Sequence, residues 1–123
     1  MTWEFDNNKP IYLQLVDILK FKIISGEFEI GAKLSSVRDM AAEAEVNPNT
    51  MQRALAELER EGLLYSQRTT GRFVTKDEEK IKHMRKEIAY REIDSLKEKL
   101  INLGYNKDDM LKLINTNIVE GQK

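Results

Sequence analysis

The 123-residue chain contains no cysteine, which excludes a disulfide framework, a thiolate metal site and a thiol nucleophile, and suits a reducing compartment. It has one histidine, His83, in the charged run Lys80-Ile81-Lys82-His83-Met84-Arg85. With no second strong ligand nearby, His83 reads as a solvated side chain, not a metal ligand or a base. There is no Gly-rich phosphate loop and no Ser/His/Asp arrangement, so no enzymatic activity, metal or cofactor is expected. No stretch approaches the roughly 18 uncharged apolar residues of a membrane span. The opening Met1-Thr2-Trp3-Glu4-Phe5-Asp6 lacks the basic start and apolar run of a signal peptide, and a soluble cytoplasmic protein without a membrane partner is expected. Surplus positive charge is also missing. Net charge is −1, residues 1–76 carry 10 Lys+Arg against 11 Asp+Glu, and residues 77–123 carry 10 against 10. If nucleic acid is the partner, its positive counterpart has to be gathered on one face.

What is present is a run of short amphipathic segments. Pro10 suits a first helical position, and Tyr12, Leu15, Val16, Leu19 and Ile23 recur at helical spacing, predicting a helix over 10–25 with Trp3 and Phe5 able to fold back on it. Two brief stripes follow, Val37/Met40/Ala41/Ala44 and Met51/Ala54/Leu55/Leu58, each at i, i+3, i+4, i+7. Ser36 with Asp39 reads as a cap for the first, and Asn47-Pro48 as a cap and first-turn proline for the second. The connection Glu45-Val46-Asn47 is the length of a helix-turn-helix turn. Strand-like runs 63–67 and 72–75 are then joined by Arg68-Thr69-Thr70-Gly71, a hairpin that must lean on the helices because it is marginal alone. Helix, helix-turn-helix and hairpin in that order predict a winged helix.

From residue 77 the composition shifts to a longer helix with apolar positions Ile81, Met84, Ile88, Ile93, Leu96, Leu100 and Leu103, then a last helix near 107–118 with Met110, Leu111 and Ile114. The expected fold is therefore mainly α with a small β-hairpin. A winged helix-turn-helix domain spans 1–76, and a two-helix region spans 77–123. The Ile/Leu stripe is too long for one short partner helix, which predicts a homodimer made through those ten side chains.

The second stripe faces inward, so Asn49, Arg53, Ala56 and Arg60 face outward with Thr50 and Gln52 flanking, and the small Ala56 lets the helix sit deep in a groove. Asn and Gln can pair with adenine, Arg with guanine, and Thr with a thymine methyl or a phosphate. Arg38 lies off its own helix's stripe, and the Ala41 and Ala42 positions where an acid would pair with it are empty of charge. Arg68 and Arg72 flank a hairpin tip thin enough for a minor groove. The candidate contact set for double-stranded DNA is Ser36, Arg38, Asn47, Asn49, Thr50, Gln52, Arg53, Arg68, Thr70, Gly71 and Arg72. A winged-helix module that binds protein instead of DNA is the competing reading, motivated by the acidic balance.

These segments carry further motifs: Pro10-Ile11-Tyr12-Leu13-Gln14, Ser25-Gly26-Glu27-Phe28 with Gly31, and Leu34-Ser35-Ser36-Val37-Arg38-Asp39-Met40-Ala41. Asn49-Thr50-Met51-Gln52-Arg53-Ala54-Leu55, Leu58-Glu59-Arg60-Glu61-Gly62 and Gly71-Arg72-Phe73-Val74 complete the series. Together they resemble the DNA-binding domain of the GntR family of bacterial transcription regulators. Two departures stand out. Ser35 replaces the family's usual proline, and Asn47-Pro48-Asn49-Thr50 puts proline where relatives use an arginine, with Gln52 where another often lies. Arg38 and Thr50 carry over residue for residue. A tail of only about 47 residues resembles the YtrA-like subfamily, which implies a dimeric repressor, often of an ABC-type transporter operon, reading an inverted repeat. A small-molecule effector is a further partner class, for which the sequence names no ligand.

Overall fold

A computed structural model of the chain describes residues 3–121. The elements run α1 (Ile11–Ile24), α2 (Val37–Ala44), α3 (Pro48–Arg60), β1 (Leu64–Gln67), β2 (Gly71–Val74), α4 (Glu78–Asn102) and α5 (Lys107–Glu120). Pro10 takes the N-cap position of α1 and offers no side-chain cap. Gln14, one turn inside, bonds the loop before the helix: its Oε1 accepts from the Asp6 N–H at 2.7 Å and its Nε2 donates to the carbonyls of Asp6 at 2.8 Å and Lys9 at 3.0 Å. The preceding loop is thereby tied to the helix by a side chain that imitates a backbone amide.

The two short helices begin as their caps predict. Ser36 Oγ accepts from the Asp39 N–H at 3.1 Å, and Asn47 Oδ1 from the Asn49 N–H at 2.7 Å. Between them Glu45 adopts a left-handed backbone (φ 57°, ψ 46°) and the N–H of Val46 returns to the Ala41 carbonyl at 3.0 Å, which closes the end of α2 and turns the chain into α3. Met51, Ala54, Leu55 and Leu58 of α3 are buried, the same four side chains that form its apolar stripe.

β1 and β2 pair antiparallel with Leu64 opposite Val74, Tyr65 opposite Phe73 and Ser66 opposite Arg72. The hairpin does not rest on helices alone. Residues 31–34 run along the free side of β2: the Leu34 N–H donates to the Arg72 carbonyl at 2.9 Å and the Val74 N–H to the Ala32 carbonyl at 2.9 Å. Lys33 and Phe73 form the bridge between these segments. A third backbone segment therefore supports the wing, and its few residues carry no alternating pattern that would announce a strand.

The described residues divide into two compact units, one ending at Arg85 and one beginning at Lys86. The boundary falls inside α4 and not at the composition change near residue 76. Ile81, expected in a dimer face, is only 2% exposed and belongs to the first unit's core with Leu15, Leu19, Leu55 and Leu63; Met84 packs partly against the same core. Arg85 closes the unit by donating through Nε and Nη2 to the Ile24 carbonyl at 3.1 and 2.8 Å, which satisfies a carbonyl at the end of α1. Ile81 and Met84 thus build the winged helix.

In the second unit α4 and α5 are joined by a turn at Gly104 (φ 102°), and Asn106 Oδ1 caps α5 by accepting from the Asp109 N–H at 2.9 Å. Met110 is the buried residue of α5. Ile93, Leu96, Leu103 and Leu111 are exposed, while Ile88, Leu100 and Ile114 are half-buried. A shallow apolar groove of about 420 Å³ lies between the two helices, lined by Leu96, Leu100, Leu113, Ile114, Asn117 and Ile118.

Candidate nucleic-acid interface

Three elements of the first unit carry the predicted contact residues. α2 presents Arg38 in its first turn, α3 presents Asn49, Gln52 and Arg53 on its exposed side with Thr50 half-buried, and the hairpin tip presents Arg68, Thr70 and Gly71. Ser36 and Asn47 are exposed but already spend a side-chain oxygen on capping. A surface groove of about 560 Å³ joins the N-terminal end of α2 to the wing, and Lys33, Ser35, Ser36, Ser66, Thr70 and Arg72 are among its lining residues. Residues 36 and 70–72, far apart in sequence, meet there. The N-terminal end of α2, where its dipole is positive, borders the same groove.

The basic residues split into two groups. Arg60 donates from Nε to Glu57 Oε1 at 3.0 Å, so its charge is largely offset on its own helix. This hydrogen bond holds the Glu57 carboxyl below, and the Arg60 guanidinium above, their ordinary values. Arg72 is turned back toward α3: its side chain is 16% exposed, Nη2 lies 3.7 Å from Glu59 Oε2, and Nε is buried without a hydrogen-bond partner among the described residues. Arg72 joins the wing to α3 instead of projecting from the tip. Arg38, Arg53 and Arg68, by contrast, are exposed and have no ion pair among the described residues. Arg53 instead sits over the ring of Tyr12, with Cζ 4.3 Å from the ring centroid.

Lys33 joins the second group, a residue that periodicity and motif spacing do not single out. It is exposed, and its aliphatic stem lies along Gly71, where an added Cβ would meet Lys33 Cε at 3.0 Å. Gly71 also has φ 126°, so the wing tip needs glycine both for backbone shape and for room. Lys33 reaches this position only because its backbone pairs with Phe73, and that pairing has no local sequence signal. A near-neutral unit thus exposes Lys33, Arg38, Arg53 and Arg68 without ion pairs among the described residues, while Lys20, Lys22, Arg60 and Arg72 face acids.

Among the described residues there is no group of three or more His, Asp or Glu side chains placed to hold a metal ion, and no helix is long and apolar enough to cross a membrane.

The sequence profile of the bacterial regulatory proteins of the gntR family matches residues 11–74. The HTH-type transcriptional regulator YhcF of Bacillus subtilis is 34% identical over 113 residues, covering 92% of this chain and 93% of its own length. The HTH-type transcriptional repressor YtrA of the same organism is 37% identical over 71 residues, 58% of this chain and 55% of its own. A GntR family transcriptional regulator from Listeria monocytogenes superposes with a TM-score of 0.82 at 38% identity, covering 91% of this chain and 98% of that one. The DNA-binding domain of AraR in complex with an operator superposes with a TM-score of 0.51 at 27% identity, over 55% of this chain and 81% of that one. The two-helix second unit follows the relatives that match end to end, and the first unit carries the motif-bearing fold. The chain belongs to the GntR family as a YtrA-like, DNA-binding transcription regulator.

Proposed function

We propose that the protein is a homodimeric repressor acting in the cytoplasm on an inverted-repeat operator, with an ABC-type transporter operon as the target its subfamily suggests. In this reading α3 enters the major groove with Asn49, Thr50 and Gln52 toward base edges, and the wing lies along the adjoining backbone or minor groove. The observation that carries it is that Lys33, Arg38, Arg53 and Arg68 are exposed and without ion pairs among the described residues, while α3 exposes the amides of Asn49 and Gln52. Arg72 contributes by holding the wing to α3 through Glu59. Residues from about Ile88 onward supply the dimer face, with Met110 supporting it from within and Ile81 and Met84 serving the first unit's core. Release of the operator by a small molecule is the regulatory step, tested by screening compounds for dissociation of a labelled duplex.

The reading is tested by selecting duplexes from a random-sequence pool with the full chain. It predicts recovered sequences with two inverted half-sites whose centres lie about one helical turn, roughly 34 Å, or a multiple of it apart. Recovery of unrelated sequences, or of single half-sites bound one chain at a time, would contradict it. Gln52→Ala and Asn49→Ala should change which bases are recovered, whereas Arg38→Ala should weaken binding to all of them.

A further inference from the structure

Three cations near the C-terminal half of α3 are paired with acids: Lys20 with Glu61 at 3.0 Å, Arg60 with Glu57, and Arg72 with Glu59 at 3.7 Å. Arg53, about two turns before Arg60 on α3, is treated differently. Its guanidinium lies over Tyr12 of α1, whose ring is half-buried and packed against the first unit's core. The chemical difference matters. A carboxylate cancels the charge and occupies N–H donors. An aromatic face holds the flat side of the guanidinium, leaves the charge in place and consumes none of the donors at its edge. It also reduces the number of arrangements that a long, exposed side chain must give up when it meets a ligand.

We propose that Tyr12 is a positioning residue for DNA binding: it holds Arg53 at the α1 side of the recognition helix, ready for a phosphate oxygen at the edge of the groove. This rests on the DNA-binding reading above and changes the role expected for Arg53 from base reading to backbone anchoring. The guanidinium is drawn toward α1, not outward along the exposed side that carries Asn49. The Tyr12 ring is anchored by the core and Arg53 is not, so order passes from the ring to the arginine.

The test is a double-mutant cycle on the full chain, read by fluorescence anisotropy with a duplex that the wild-type chain selects from a random pool. Arg53→Ala should weaken binding to all duplexes and reduce the slope of log affinity against log salt by about 1 per protomer, as loss of one phosphate contact requires. Tyr12→Leu keeps most of the packing volume and removes the π face. It should weaken binding by about two- to fivefold, the effect of an exposed cation–π contact, with no change in base preference. Tyr12→Phe keeps the ring and should bind as the wild type does. In an Arg53→Ala background Tyr12→Leu should have no further effect. The proposal is overturned if Tyr12→Leu binds like the wild type, if it weakens binding equally in the Arg53→Ala background, or if Tyr12→Phe is as weak as Tyr12→Leu. A thermal midpoint for each variant separates a fold defect from a contact defect. A wild-type chain that selects no duplex overturns the DNA-binding reading itself, whereas failure of the cycle alone removes only the role of Tyr12.

Discussion

Lys22 occupies the buried face of α1, 4% exposed, with Nζ 4.6 Å from the Trp3 ring centroid and 5.7 Å from that of Phe28. A lysine is tolerated there because two ring faces and the Glu27 carboxylate surround its charge. Trp3 is fixed in turn by donating from Nε1 to Glu43 Oε2 at 2.8 Å. Helical periodicity shows which positions face inward, but it does not show that one of them is a cation with three partners from other segments. The hydrogen bond from Lys22 holds the Glu27 carboxyl below its ordinary value of 4.5, and Arg60 does the same for Glu57. A carboxyl lowered in the folded state adds stability above its unfolded value, and that stability is lost as pH falls through the folded value. The thermal midpoint should therefore hold near neutrality and decline as pH drops below about 4.5. The decline should be shallower in Glu27→Gln/Glu57→Gln, which at neutral pH is the less stable protein. An equal decline in wild type and variant would show that these two carboxyls do not drive it.

At the scale of elements, the helix-turn-helix is almost fully legible in the sequence. Its stripes, its caps at Ser36 and Asn47 and its turn at Glu45-Val46-Asn47 are local features, set by i, i+3 and i+4 spacing and by side chains that bond the next turn. What escaped local reading depends on partners distant in the chain. The backbone ladder at 31–34, the donation of Arg85 to the Ile24 carbonyl and the burial of Ile81 in the core shared with α1 and α3 join segments from about 20 to more than 60 residues apart. A uniform Ile/Leu stripe on α4 looks like one surface, yet the fold uses its start for a core and the remainder otherwise. Ile81→Ala should therefore cost about 2–5 kcal/mol in urea unfolding, as a large-to-small change in a core does. Leu103→Ala, at a position 72% exposed, should leave the unfolding of the first unit within about 0.5 kcal/mol of wild type. Similar costs for the two would mean that the Ile/Leu stripe is packed alike from Ile81 to Leu103.

Over the whole molecule, two properties fall in different units while the net charge stays at −1. The first unit gathers unpaired cations at α2, α3 and the wing, and the second exposes Ile93, Leu96, Leu103, Leu111 and Ile118. These large apolar side chains are the ones the proposed dimer would cover. Leu111→Glu, at a position 60% exposed, should convert a dimer to a monomer by light scattering without unfolding the first unit. It should also lower operator affinity by more than any single recognition-helix substitution, because the two half-sites would then bind independently. An unchanged dimer mass would move the interface elsewhere. Composition alone argued against a nucleic-acid partner because it counts paired and unpaired cations alike, and residues 1–76 are as neutral as the whole chain. The charges that matter are few, and folding decides which cations face an acid and which do not.

The most direct test of the central claim, that affinity comes from a local set of unpaired cations on a nearly neutral protein, is the salt dependence of binding to the selected duplex. The account predicts a linear fall of log affinity with log salt. Lys33→Ala, Arg38→Ala, Arg53→Ala and Arg68→Ala should each reduce the slope by about 1 per protomer, and Arg60→Ala should leave it unchanged. A slope that stays the same in the first four variants, or that drops as much in Arg60→Ala, would contradict it.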